Sequence, residues 1–191
     1  MKSKSVKFAQ NGTLKKNKEN ADESAHEIAE GLRSLFIDEL RTIYWVEKAF
    51  NKEIPKMIKK ATAEVLVEAL TRHFDVSKEH VTRLKNVFSS MGEKAETKKR
   101  KAMVGLLREA KEILKKNKGL MVRDLGIILA VQKVEHYEIA TYGILCSFAK
   151  TLGETNVATL LQEILDQEKE AGKKLSEIAE SFIIGETVDT V

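Results

Sequence analysis

The chain has 191 residues, 42% hydrophobic and 32% charged, with a net charge of +4. That length suits one domain with a sizeable core, and a single proline, Pro55, argues against loop-rich all-β and α/β folds. No run approaches the ~18 apolar residues of a membrane-spanning helix, and the N-terminal lysines are not followed by the apolar stretch of a secretory leader.

Residues 1–20 carry six Lys and one Glu, so the basic excess lies in a Lys/Asn/Gly-rich segment and the remainder is close to neutral. Residues 1–24 are therefore expected to form a disordered basic tail. A solubilising leader is the simpler role, and contact with nucleic acid the alternative. From about 25 to 60 the apolar positions Leu32, Leu35, Phe36, Leu40, Ile43, Val46, Phe50, Ile54 and Met57 recur at three- and four-residue steps, which predicts a long helix. Pro55 should kink it or end it early. A second helix is predicted from about 63 to 91, capped by Thr62 and closed by Gly92.

A shorter helix is predicted over about 98–116. Its first residues, Lys98-Lys99-Arg100-Lys101, read as a solvated face before an anion site. A third long helix follows over about 121–151, and a fourth, capped by Thr155 or Asn156, over about 157–183. The bundle is thus expected to span residues 25–184, with a C-terminal tail at 185–191. The expected fold is all-α: a ferritin-like antiparallel four-helix bundle with an additional short helix between long helices 2 and 3. The lone Cys146 excludes an internal disulfide and suggests a reducing, cytoplasmic setting. Between Leu145 and Phe148 it reads as a small hydrophobe.

Polar residues interrupt the apolar faces. The third long helix reads Ile128, Val131, Glu135, Glu138, Tyr142, Leu145, Ala149, and the fourth carries Glu168 between Ile164 and Leu175. The second has His73 on its seam and the first has Glu47 between Ile43 and Phe50, with Glu39 near the same stripe. Any one of these would ordinarily be a solvated edge residue or a satisfied core histidine. One or more on each of four facing helices is a different matter, because a buried unpaired carboxylate costs several kcal/mol. Protonation, a cationic partner or a metal would relieve that cost. Carboxylates plus imidazole from facing helices form the ligand set of di-iron and di-manganese proteins, with Tyr44 or Tyr142 placed to orient a carboxylate. Against this, the only Glu-x-x-His is Glu23-Ser24-Ala25-His26, outside the middle of the bundle.

The run VQKVEHYEIATYGIL at 131–145, with Tyr44-Trp45-Val46-Glu47-Lys48, His73-Phe74-Asp75, Leu106-Leu107-Arg108-Glu109-Ala110 and Val122-Arg123-Asp124, resembles the YciE/YciF family of ferritin-like bacterial stress proteins from about residue 30 to 183. The resemblance implies a ferritin-like bundle, a homodimer and two metal ions, iron or manganese, held by Glu47, His73, Glu135, Glu138 and Glu168. It also marks two departures: Val76 and Gly172 stand where the family tends to carry carboxylates. His80, one turn after Val76, is left out of the expected ligand set.

Three functions follow as expectations. The first is a stress-response protein with a di-metal carboxylate site handling peroxide or dioxygen; whether as ferroxidase, peroxidase or catalase is not readable from the sequence. The second is a metal-free helical dimer with a structural or binding role, which Val76 and Gly172 favour. The third is DNA association through the Lys-rich tail.

Overall fold

The computed structural model describes the backbone of residues 6–116 and 119–188 and the side chains of 26–116 and 119–184. Among the described residues its regular elements are all α-helices, in the order α1 (Val6–Phe50), α2 (Ile54–Ile58), α3 (Glu64–Ser90), α4 (Lys101–Lys116), α5 (Leu120–Thr151) and α6 (Thr155–Val188). The four long helices pack as the expected bundle, α1 beside α3 and α5, and α6 beside α3 and α5. α1 begins at Val6, well upstream of the start expected near residue 25. The side chains of the basic segment 1–24 and of the C-terminal segment 185–191 lie outside the described residues.

The helix ends follow from local chemistry. Pro55 stands at the start of α2, where its missing N–H costs nothing, so the first helix ends at Phe50 and restarts after a turn. Gly92 and Gly153 adopt φ of +69° and +75°, a conformation that glycine reaches without strain. Each closes its helix with the paired bonds of a Schellman motif: Glu93 N to Phe88 O at 2.9 Å with Gly92 N to Ser89 O at 3.1 Å, and Glu154 N to Ala149 O at 2.9 Å with Gly153 N to Lys150 O at 3.1 Å.

The start of α3 departs from expectation. Thr62 is not its cap; Ala63 is, and it has no capping side chain. The carboxylate of Asp124, reaching across from α5, accepts from Thr62 N at 3.0 Å, Thr62 Oγ1 at 2.8 Å and Ala63 N at 2.7 Å. A cap from a remote helix does the work of a local one and ties the two helices together.

In the basic run at 98–101, Lys99 and Lys101 are exposed, as a solvated face would be, but the other two residues are engaged. Lys98 and Arg100 both pair with Asp38, and Arg100 also reaches Glu39 at 3.0 Å and Thr42 Oγ1 at 3.1 Å. With Lys98 N bonded to Arg41 O at 2.9 Å, these contacts strap the α3–α4 connection onto α1. The hydrogen bond from Lys98, helped by the charge of Arg100, holds Asp38 below its usual carboxylate value. α4 then lies against α5 with Met103 and Ala110 buried, and Leu106, Leu107, Ile113 and Leu114 partly buried against the same core. Cys146 is buried, as a small hydrophobe would be, and burial raises its thiol pKa. Among the described residues no helix is long and apolar enough to cross a membrane.

Candidate metal centre

The apolar heptad positions of four helices meet at mid-bundle, and the polar residues that interrupt them meet there too. Glu47 on α1, His73 on α3, Glu135 and Glu138 on α5 and Glu168 on α6 are each 7% exposed or less. They face inward because their neighbours at three- and four-residue spacing, such as Ile43 and Phe50, Leu70, Val131 and Tyr142, and Ile164 and Leu165, are core residues. Turning any of these helices to free its carboxylate would expose that whole stripe.

One side of the centre is satisfied. Glu47 accepts from Tyr142 Oη at 2.7 Å and Ser77 Oγ at 2.7 Å, and its Oε1 lies 3.2 Å from His80 Nδ1. Burial alone would raise Glu47, but the bond and charge of His80, then Tyr142 and Ser77, outweigh it and hold this carboxyl below its usual value. His80 is fully buried, and its Nε2 faces Gln167 Oε1 at 3.0 Å, an oxygen that also accepts from Arg83 at 3.0 Å. Because that oxygen accepts from both groups, Nε2 carries a proton, and Nδ1 points into the centre. Glu168 Oε1 is 3.0 Å from that Nδ1 but off the direction of its N–H, so the two interact by charge without a formal hydrogen bond. Burial would lower the His80 pKa; the adjoining Glu168 and Glu47 reverse this and push it to about 10.

The other side is not satisfied. His73 Nε2 and both oxygens of Glu135, Glu138 and Glu168 are buried without a hydrogen-bond partner. His73 Nε2 and Glu135 Oε1 are 3.9 Å apart, beyond hydrogen-bonding reach. Burial and the charge of Glu168 raise Glu135 well above the usual carboxylate range. Burial, then Glu47, Glu168 and Glu135, do the same to Glu138. Burial lowers His73 despite the nearby Glu168 and Glu47. A half-open cleft of about 540 Å³ between α3 and α6, lined by Val76 among others, reaches His73 and Glu135.

Two sets of donor atoms each lie within 4.8 Å of one another: Glu47, His80 and Glu168, and His73, Glu135 and Glu168. Glu168 is common to both. The residues therefore fit metal ions in chemistry and in geometry: oxygen donors with one imidazole per set, several of them buried and unpartnered. Glu138 belongs to neither set, although it lies close enough to feel the charges of the other three carboxylates.

Four of the five expected ligand residues thus fall into the donor sets, and His80 must be added. The buried residues Leu66, Leu70, His73, Ser77, His80, Leu84 and Val87 step by four and three without a break, and that strict alternation was the available signal. Glu39 is no part of the centre; it pairs with Arg100 on the outside of α1. Tyr44 packs edge-on against Phe88 with ring centroids 5.7 Å apart, and Tyr142 is the phenol that orients Glu47. The two departures have different consequences. Val76 lines the cleft beside His73. Gly172 backs onto Glu135, whose Oε2 would lie 3.2 Å from any Cβ placed there, so the bare backbone leaves room for that carboxylate.

The chain and its fold resemble those of known proteins. E. coli (strain K12) protein YciF is 36% identical over 149 residues, covering 78% of this chain and 90% of that protein. The crystal structure of the E. coli stress protein YciF superposes with a TM-score of 0.76 at 35% identity, over 80% of this chain and 96% of that one. YcfI from Rhodopseudomonas palustris superposes with a TM-score of 0.74 at 36% identity, over 76% and 92% of the two chains. A Xanthomonas campestris pv. campestris protein shares the fold alone, at 20% identity and a TM-score of 0.64 over 81% of this chain and 95% of that one. Residues 31–187 match the family described as Domain of unknown function (DUF892), and the chain belongs to that family.

Proposed function

We propose that this chain is a ferritin-like stress protein whose bundle holds two iron or manganese ions and handles peroxide or dioxygen. The observation that carries the reading is the pair of buried donor sets sharing Glu168, one of them flanked by carboxylate oxygens that nothing in the protein satisfies. Oxygen-rich sets with few imidazoles favour the harder metals. Once bound, such ions would supply redox chemistry toward peroxide or dioxygen. The chain's own residues do the rest. Tyr142 and Ser77 orient Glu47, Gln167 and Arg83 fix the His80 ring so that Nδ1 faces the set, and the apolar core around both excludes bulk water. The cleft at His73 gives the approach from solvent. Metal analysis of protein purified without chelators tests this: about two ions per chain are expected, falling when Glu168 is replaced by Ala. Failure to take up iron or manganese supplied in excess would end the proposal.

A second reading, a metal-free helical dimer, is favoured by one observation: His80 already stands between Glu47 and Glu168, where its imidazolium supplies the countercharge that an ion would supply. The same metal analysis separates the two. The homodimer itself is part of both. Leu129 and Ile144 on α5 are among the exposed apolar residues that such a dimer would cover. A monomer by light scattering at micromolar concentration would contradict it. DNA association through the lysines of residues 1–20 remains a separate proposal; binding should fall steeply with salt and vanish when that segment is removed.

A further inference from the structure

The cleft between α3 and α6 is far larger than an approach for a diatomic molecule requires. Its volume of about 540 Å³ lies within the roughly 300–1,000 Å³ of small-molecule sites. Val65, Leu70, Val76 and Leu175 give it apolar walls. The charged side chains that line it largely neutralise one another: Arg72 pairs with Glu170 at 3.6 Å, and Lys173 and Lys174 with Glu177 at 3.9 and 3.6 Å. An ionic ligand therefore finds no matching field. Its buried polar groups are His73 Nε2 and the Glu135 carboxyl, both without hydrogen-bond partners.

The spacing of those two groups selects a ligand atom. Nε2 and Oε1 are 3.9 Å apart, so a single oxygen can sit ~2.8 Å from each. It must be able both to donate and to accept. If Glu135 is ionised it takes the proton and His73 donates; if Glu135 is protonated it donates and His73 accepts. A hydroxyl meets either case. A water would also meet it, but one water accounts for only ~30 Å³ and leaves the apolar walls unmatched.

We infer that the cleft binds a neutral organic molecule carrying a hydroxyl on an apolar body, a phenol or an alcohol, with the hydroxyl held between His73 Nε2 and Glu135. The site shares His73 and Glu135 with the proposed metal centre, so the hydroxyl occupies these two atoms when that donor set holds no ion. The test is a calorimetric titration of the full chain, freed of metal by chelator, with three probes of similar size: 4-ethylphenol, 4-ethylanisole and ethylbenzene. One molecule of 4-ethylphenol per chain is expected, bound about tenfold more tightly than 4-ethylanisole, the effect of one donated hydrogen bond. His73→Leu should erase most of that preference, and Val76→Trp should abolish binding by filling the cleft. If Val76→Trp does not fold, Ala69→Leu fills the cleft from the same helix. Equal affinity for the three probes, no saturable binding, or binding that survives in a folded cleft-filling variant would overturn the inference. Metal uptake measured on the same preparation keeps the two ideas apart: intact uptake without 4-ethylphenol binding removes the cleft ligand alone, and the converse removes the metal alone.

Discussion

Glu47, in the last turn of α1, and Glu135, at the middle of α5, are both fully buried carboxylates, yet their surroundings oppose each other. Glu47 is met by a phenol, a serine and an imidazole. Glu135 meets nothing that hydrogen-bonds to it, and its nearest titratable neighbours are another carboxylate and a histidine beyond bonding distance. The first is held ionised by its own protein; the second is driven toward the neutral acid. A centre built this way has one half that is complete without a metal and one half whose donors await a partner. Stability and binding should therefore respond in opposite directions to changes on the two sides.

The largest effect is expected from His80→Leu. It leaves Glu47 and Glu168 buried without their countercharge, a loss of about 3–5 kcal/mol, and in a chain of this size a fall in Tm of roughly 10 °C. Thermal unfolding in chelator checks this, and an unchanged Tm would mean that the imidazole carries no charge there. Next come the glutamine exchanges. In metal-free protein Glu135→Gln should stabilise by about 1 kcal/mol, by relieving repulsion with Glu168. Glu168→Gln should destabilise by about 1–3 kcal/mol, by removing a partner of His80. In metal-loaded protein both should lower Tm. Equal effects of the two in chelator would erase the distinction between the sides.

A pH series sharpens the same contrast. His80 has a folded value of about 10 against an ordinary 6.5, so its contribution is complete below pH 6.5 and is lost as pH rises toward 10. Glu135 and Glu138, also raised, act in the same direction from a lower starting point: their neutral forms favour the fold in acid, and that advantage fades above the usual carboxylate range. Below pH 6.5 the lowered His73 acts in the opposite sense, so the net loss of stability in metal-free protein should show from about pH 7 upward, while metal affinity rises as protons leave the ligands. A Tm in chelator that climbed between pH 7 and 9 would contradict the assignment.

The smallest effect is expected at Gly172. Alanine there gains about 1 kcal/mol of helix propensity, but its Cβ would stand 3.2 Å from Glu135 Oε2 and move that carboxylate by a few tenths of an ångström. The net change in Tm should be within about 3 °C, with metal affinity changed more than stability. A clear gain in Tm with unaltered metal uptake would show that the glycine does not position Glu135.

The sequence by itself determined the bundle, because helical periodicity, a lone internal proline and two glycine stops are local signals. Leu40, Ile43 and Phe50 lie on one apolar stripe of α1, and Gly92 and Gly153 end their helices through local backbone conformation and its hydrogen bonds. It also determined that Glu47, His73, Glu135, Glu138 and Glu168 are buried, since each replaces an apolar residue within such a stripe. Which of them meet was decided by tertiary structure. The side-chain partners of His80 are Glu47, Gln167 and Glu168, residues on two other helices and far away in sequence. The same holds for Asp124 capping α3 from α5 and for Lys98 and Arg100 fastening onto Asp38. Periodicity reports which way a side chain faces; rotation and axial offset between packed helices fix what it faces, and those depend on how all the side chains of the core interlock.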